Sequence, residues 1–150
     1  MPTIIKGNIL DATEEYIVHQ CNCKTFYPKG LSKDIFRKYP YADDYTTKKV
    51  RIPGTINVHN NIINLFGQNF PGKAKSKEIT KKRLNWFKNG LDKIKNLNPK
   101  SIAFPFKIGC GLAGGTWKDY LDMITAFEHE INVTNINAHT PIIVTIYNYE

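Results

Sequence analysis

The sequence predicts an α/β fold, a sheet covered by helices on both faces. Three observations predict it. β-branched and apolar runs alternate with stripes of helical spacing. Two strand-to-helix junctions are marked by turn-forming residues. The chain has 150 residues, 41% of them hydrophobic, which is enough for one core and one domain over 1–150.

The elements follow in order. Tyr16-Ile17-Val18-His19-Gln20 reads as a buried strand. Leu31, Ile35, Phe36 and Tyr39 share one helical face, and Pro40 ends that helix because proline lacks the N–H a further turn needs. Between Ile52 and Leu65 the pattern shortens to a hairpin turning at Asn60-Asn61. Leu84, Phe87, Leu91 and Ile94 repeat at three and four residues, giving a helix over 77–97 with its lysines outward. Ser101-Ile102-Ala103-Phe104 is a strand, Trp117, Leu121, Ile124, Phe127 and Ile131 stripe a third helix, and Ile142 to Tyr147 is a β-branched last strand. Crossovers of this kind join parallel neighbours. The turns Cys21 to Gly30 and Lys107 to Gly115 then share the carboxyl edge of the sheet, where open α/β sheets place their ligands.

No apolar run approaches the roughly 18 residues that span a bilayer, and Met1 to Lys6 is unlike a charged-then-apolar leader. A soluble, cytoplasmic monomer is expected, in the host cytoplasm if the source is viral, with no membrane partner. Three cysteines, an odd number, argue against a disulfide framework. Cys21 and Cys23 with His19 lack a second ligand pair, so no metal is expected, and no cofactor. The net charge is +8, and residues 73–100 carry ten Lys/Arg against Glu78 and Asp92. A basic face favours anionic partners: a nucleotide, a nucleic acid or an acidic protein. The alternative is a helix face that only solubilises.

Ile108-Gly109-Cys110-Gly111-Leu112-Ala113-Gly114-Gly115-Thr116-Trp117 contains G-x-G-x-x-G. The dinucleotide fingerprint belongs to a first strand with an acid closing the next one, whereas this turn lies late, with one strand remaining. A phosphate loop ending in Lys-Ser/Thr is absent. Thr116 to Asp119 fits a capping box, so the helix starts near Trp117 and its unpaired N–H groups face the turn. The expectation is an anion cradle of main-chain donors. Tight strand-to-helix packing is the alternative.

Five motifs, in order, resemble a macro domain: Lys6-Gly7-Asn8-Ile9-Leu10; Ile17 to Cys23; Gly30-Leu31 opening a helix that ends at Tyr39-Pro40; Ile63 to Gln68; and 108–117. The resemblance covers nearly the whole chain. It is to the branch that processes ADP-ribose 1''-phosphate, related to the terminal ADP-ribose glycohydrolases. It implies a three-layer α/β/α fold with a mixed central sheet that binds ADP-ribose, an ADP-ribose derivative or an ADP-ribosylated protein. Carried over by position, Gly7, Asn8 and Ile9 would lie by the adenine, with Asp11 as a substitute acceptor. Asn22, Lys29, Gly30 and Leu31 would lie near the distal ribose, and Phe66, Gly67 and Gln68 at the distal end. Gly109 to Thr116 would hold the diphosphate.

The departures bear on chemistry. Macro domains commonly carry Asp where this chain has Asn8, and the glycohydrolases carry lysine near Gln68 and an acid near Ala113. Glutamine cannot attack, and alanine cannot shuttle a proton. The loop Lys24 to Lys29 is bulkier than the family's small-residue loop. His19 and Asn22 are the catalytic candidates, His19 as proton donor and Asn22 orienting water, and a structural histidine is the alternative for His19. The predicted activity is hydrolysis of an ADP-ribose derivative, by phosphatase or ester-hydrolase chemistry. A non-catalytic ADP-ribose reader is the alternative, and a nucleic-acid-binding domain, suggested by Trp86 on the basic helix, ranks below both. His59 is read as a turn residue, and His129 and His139 as surface residues. Tyr149 either stacks on the adenine or covers the sheet edge.

Overall fold

A computed structural model describes residues 1–135 and 140–149. Six strands form one sheet: β1 (Thr3–Lys6), β2 (Tyr16–Gln20), β3 (Ile56–His59), β4 (Ile62–Leu65), β5 (Ser101–Pro105) and β6 (Ile143–Asn148), in the order β1-β6-β5-β2-β4-β3. Every neighbouring pair is parallel except the β3–β4 hairpin. Asn60 turns that hairpin with a φ of 51°, a left-handed conformation that asparagine tolerates. The mixed sheet is therefore a parallel one with a single antiparallel edge.

Alternation along the strands divides the core. Ile17, Ile62 and Ala103 face helix α1 (Gly30–Lys38), where Ile35 and Phe36 complete one apolar cluster. Val18, Ile63, Ile102, Phe104 and Val144 face helices α2 (Lys77–Lys95) and α3 (Trp117–Thr134), meeting Phe87, Leu91, Ile124, Phe127 and Ile131. One helix on one face and two on the other make three layers, as the α/β reading expects. Ser76 caps α2, its hydroxyl accepting from the Ile79 N–H at 3.2 Å.

Three details differ from expectation. β1 went unpredicted, because all four of its residues are exposed on an edge and carry no alternation to read. The capping box at α3 does not form: Thr116 occupies the N-cap position without a side-chain bond, and the Asp119 N–H is taken by the Thr116 carbonyl at 3.1 Å. α2 ends at Lys95 instead of Leu97. His139 lies outside the described residues.

Candidate functional site

β2 and β5 are adjacent and parallel, so the chain leaves both at the same edge. Between the two following turns opens a cleft of about 1030 Å³, the size of a nucleotide pocket. Its walls are Asn8 to Leu10, the loop around Asn22 and Tyr27, the start of α1, and the turn from Lys107 to Ala113.

The glycines of that turn divide into two kinds. Gly109 has a φ of +77°, and a Cβ there would stand 2.7 Å from the Tyr120 ring. At Gly115 a Cβ would meet the Gly109 carbonyl oxygen at 2.6 Å. These two let the turn fold back over Tyr120, so the packing alternative is part of the answer. Gly111 is different: a Cβ there would meet nothing within 4 Å. Its backbone lines the open cleft.

The N–H groups divide the same way. Those of Ile108, Cys110, Gly114 and Gly115 are spent inside the turn, on Pro105, Lys107, Gly111 and Gly109 carbonyls. Among the described residues, the N–H groups of Gly111, Leu112 and Ala113 make no hydrogen bond. Three successive main-chain donors are thereby left open at the surface of the cleft. Lys107, with a φ of 60°, and Lys29 add positive charge to the same walls.

Behind the turn, Arg83 of α2 is buried and donates to the carbonyls of Phe70 (3.2 Å), Gly72 (2.7 Å) and Ala113 (3.3 Å). One guanidinium thus fastens the glycine turn to the segment after β4. Its pKa is lowered, chiefly by burial.

The opposite wall rests on side chains. Asn22 Oδ1 accepts from the Lys24 N–H (3.0 Å), the Thr25 N–H (3.0 Å) and the Thr25 hydroxyl (3.1 Å). The Tyr45 hydroxyl accepts from the Asn22 N–H at 2.8 Å, and Arg51 donates to the Asn22 carbonyl at 3.2 Å. The Asn22 oxygen is thereby consumed, and its amide nitrogen is the group left for a ligand. Asn8 spends less: its Oδ1 accepts one bond, from the Leu10 N–H at 3.0 Å.

His19 closes the floor of the cleft and is 1% exposed. Strand register sets its partners: His19 lies opposite Asn64 in β4, and Asn64 lies opposite Asn57 in β3. The Asn64 amide nitrogen donates to the Ala42 carbonyl (2.7 Å) and to Asp44 (2.9 Å), so its oxygen faces His19. Nε2, 2.5 Å from that oxygen, must carry the proton. Nδ1 then accepts from the Ser32 hydroxyl at 2.9 Å. Burial holds the imidazole neutral, its pKa lowered to about 4 despite the Asn64 bond and the Asp44 charge. Burial alone would raise the Asp44 carboxyl, but bonds from Asn57, Asn64 and His59 bring it below its ordinary value.

Of the residues singled out from sequence, Asn8, Ile9, His19, Asn22, Lys29, Gly30, Leu31, Gln68, Ile108, Gly109, Gly111, Leu112 and Ala113 line the cleft. Gly7, Asp11, Phe66, Gly67, Cys110, Gly114, Gly115, Thr116 and Trp117 are not among its lining. Phe66 is fully buried in the core beside α1, and Asp11 pairs with Lys38 at 3.0 Å. Trp117 packs edge-on against Phe106 at 5.1 Å. Gln68 is tied at both ends, accepting from Gln20 (2.8 Å) and donating to the Phe70 carbonyl (2.9 Å). Burial raises the Cys21 thiol far above its ordinary pKa and the Cys23 and Cys110 thiols to about 11, so none is a ready nucleophile. His59 does more than turn the hairpin, since its Nε2 lies 2.9 Å from Asp44. Ser32 lines the cleft unforeseen. Ser32 falls on the inward stripe of α1 with Ile35 and Phe36, a signal that its polarity hid.

A three-layer α/β sheet with a cleft at its carboxyl edge places that cleft where open α/β folds hold their ligands. The chain has the macrodomain fold. It is similar to the macrodomain of Mycobacterium tuberculosis DarG at 20% identity, covering 100% of this chain and 98% of that one, with a TM-score of 0.71. For the macrodomain of Thermus aquaticus DarG the identity is 21%, the coverage 100% and 98%, and the TM-score 0.64. An Oceanobacillus iheyensis macrodomain variant solved with ADPR matches at 14% identity over 98% of this chain and 84% of that one, with a TM-score of 0.57. No family model and no curated protein matches the chain. Among the described residues, no helix is long and apolar enough to cross a membrane.

Proposed function

We propose that the cleft binds ADP-ribose or an ADP-ribose derivative, free or attached to a protein. The observation that carries this reading is the run of unspent N–H groups at Gly111, Leu112 and Ala113, beside open space and two lysines. A diphosphate spreads charge over several oxygens, and a row of main-chain donors matches that spread better than one side chain. Oceanobacillus iheyensis macrodomains solved with ADPR and with ADP support the choice of nucleotide. In this reading the base lies by Asn8 to Leu10 with Tyr149 at the rim, and the distal ribose lies by Asn22 and Lys29 to Leu31.

The geometry favours binding over turnover. Both ring nitrogens of His19 are occupied by protein, so it has no proton to give a leaving group. The Asn22 oxygen is equally unavailable to a water. A hydrolase acting on an ADP-ribose ester or on ADP-ribose 1''-phosphate is the second reading. One observation favours it: the Ser32 hydroxyl sits at the cleft floor against the unprotonated Nδ1 of His19.

Calorimetry with ADP-ribose tests the first reading. Gly111→Val adds a side chain into the cleft without an internal clash, and it is expected to weaken binding at least about tenfold, or about 1.4 kcal/mol. Unchanged affinity would remove the seat from the site. Phosphate release from ADP-ribose 1''-phosphate, lost in Ser32→Ala with ADP-ribose binding retained, would establish the second reading.

A further inference from the structure

We infer that the distal mouth of the cleft is a platform for single-stranded nucleic acid. The surface is built by the connections that leave the carboxyl ends of β2, β4 and β5, residues 21–29, 66–76 and 106–116. It adjoins the proposed nucleotide site and does not depend on what that site holds.

Charge is segregated there. The three connections carry Lys24, Lys29, Lys73, Lys75 and Lys107 and no Asp or Glu. They also show aromatic rings to solvent: Phe26 is 46% exposed, Tyr27 78% and Phe70 60%. Contacts between the connections join these groups into one surface. The Lys24 ammonium lies 5.5 Å from the centre of the Phe70 ring, and the Cys23 N–H donates to the Asn69 carbonyl at 2.9 Å. Lys73 lies against the glycine turn, where a Cβ on Gly114 would stand 2.6 Å from its Cγ. Lys48, from the segment before β3, stands 5.3 Å from the centre of the Phe26 ring. Two of the three rings come from the loop Lys24 to Lys29, whose bulk departs from the small residues that the resemblance implies.

Exposed rings gathered in one place mark a surface that a partner covers. Single strands suit this one. Their unstacked bases each offer a flat face to a ring whatever the sequence, and their phosphates meet the lysines. An ammonium beside a ring puts the charge for a phosphate next to the face for a base. A duplex keeps its base faces stacked inside, so the rings would gain nothing from it. The carboxylates of an acidic peptide would answer the lysines but give the rings no stacking face. The basic helix α2 offers no such platform, since its Trp86 is half-buried against Gly54.

Fluorescence anisotropy on the full chain tests this, with labelled oligothymidylate and oligouridylate of about a dozen nucleotides, a duplex of equal length and an oligoglutamate. The single strands are expected to bind saturably and at least about tenfold tighter than the duplex or the oligoglutamate. The thymidylate and uridylate arms tell a DNA partner from an RNA one. Phe70→Ala should weaken binding about tenfold, and Phe26→Ala should weaken it in the same direction. Lys24→Gln should lower the slope of log affinity against log salt by about 0.7, the share of one phosphate on a single strand. No saturable single-strand binding, a duplex or an oligoglutamate bound as tightly, or an affinity unmoved by Phe70→Ala would overturn the inference. Phe26, Phe70 and Lys24 are not among the cleft lining, so calorimetry with ADP-ribose should give the unmodified affinity in all three variants. Single strands that bind where ADP-ribose does not would remove the nucleotide reading and leave this one standing. Melting within about 2 °C of the unmodified chain verifies that the variants fold.

Discussion

The two faces of the sheet build their halves of the cleft by different means. Facing α2 and α3, the sheet is apolar except for Gln20 at the end of β2, which donates to Gln68, and the Tyr120 ring of α3 supports the glycine turn. On the α1 face, apolar packing is interrupted by a chain of polar groups, Ser32 to His19 to Asn64 to Asp44 to His59, running from the cleft floor to the β3–β4 hairpin. The apolar half leaves its main-chain donors open, whereas the polar half spends its side-chain acceptors on its own loops. A cleft that shows a ligand donors on both walls is the result, reached once through glycine and once through asparagine.

The comparison can be broken at the polar half first. Asn64→Leu removes the acceptor for His19 Nε2 and a donor to the buried Asp44, and a loss of about 4 kcal/mol is expected in urea unfolding. A loss under 1 kcal/mol would mean the chain is incidental. The same half should respond to acid. His19 has its folded pKa at about 4, below the ordinary value of 6.5, so the unfolded chain binds its proton first. Stability is then full above about pH 6.5 and falls as pH drops toward 4, by about 3 kcal/mol. Asp44, held below its ordinary value, adds its own loss only at lower pH. His19→Gln should flatten the slope between pH 6.5 and 4, as denaturant melts at stepped pH would read out.

The apolar half sharpens the contrast. Gly109→Val forces a side chain toward Tyr120 at an unfavourable φ, and about 2 kcal/mol of destabilisation is expected. Gly111→Val should leave the melting temperature unchanged, since its Cβ meets open space. Similar melting losses for the two would dissolve the division of the turn. Among the substitutions expected to cost stability, the smallest loss belongs to Asn22→Ala, which frees the Lys24 and Thr25 N–H groups of a partly exposed loop and should cost about 1 kcal/mol.

Periodicity made most of the fold legible. The stripe at Leu84, Phe87, Leu91 and Ile94 located α2, and the β-branched run ending at Tyr147 located β6, because burial imposes its period on sequence. β1 escaped because an exposed edge imposes none. In the site, the glycine spacing exposed the turn, and the resemblance drew attention to Asn8 and Asn22. Positional transfer overshot at Phe66 and Trp117, which are not among the cleft lining and whose rings pack into the protein. The polar chain was illegible, since His19 and Asn64 meet through strand register, Asp44 reaches them from the turn after Pro40–Ala42, and no local pattern announces them. The capping box was a local signal that the turn overrode.

Arg83 carries a dynamic consequence. Its three carbonyl partners come from two stretches of chain that share no strand. Loosening either stretch breaks the guanidinium's hold on the other, so the amides of 70–72 and 111–114 should exchange with solvent as one cooperative unit. A ligand seated on the one would slow exchange in the other as well.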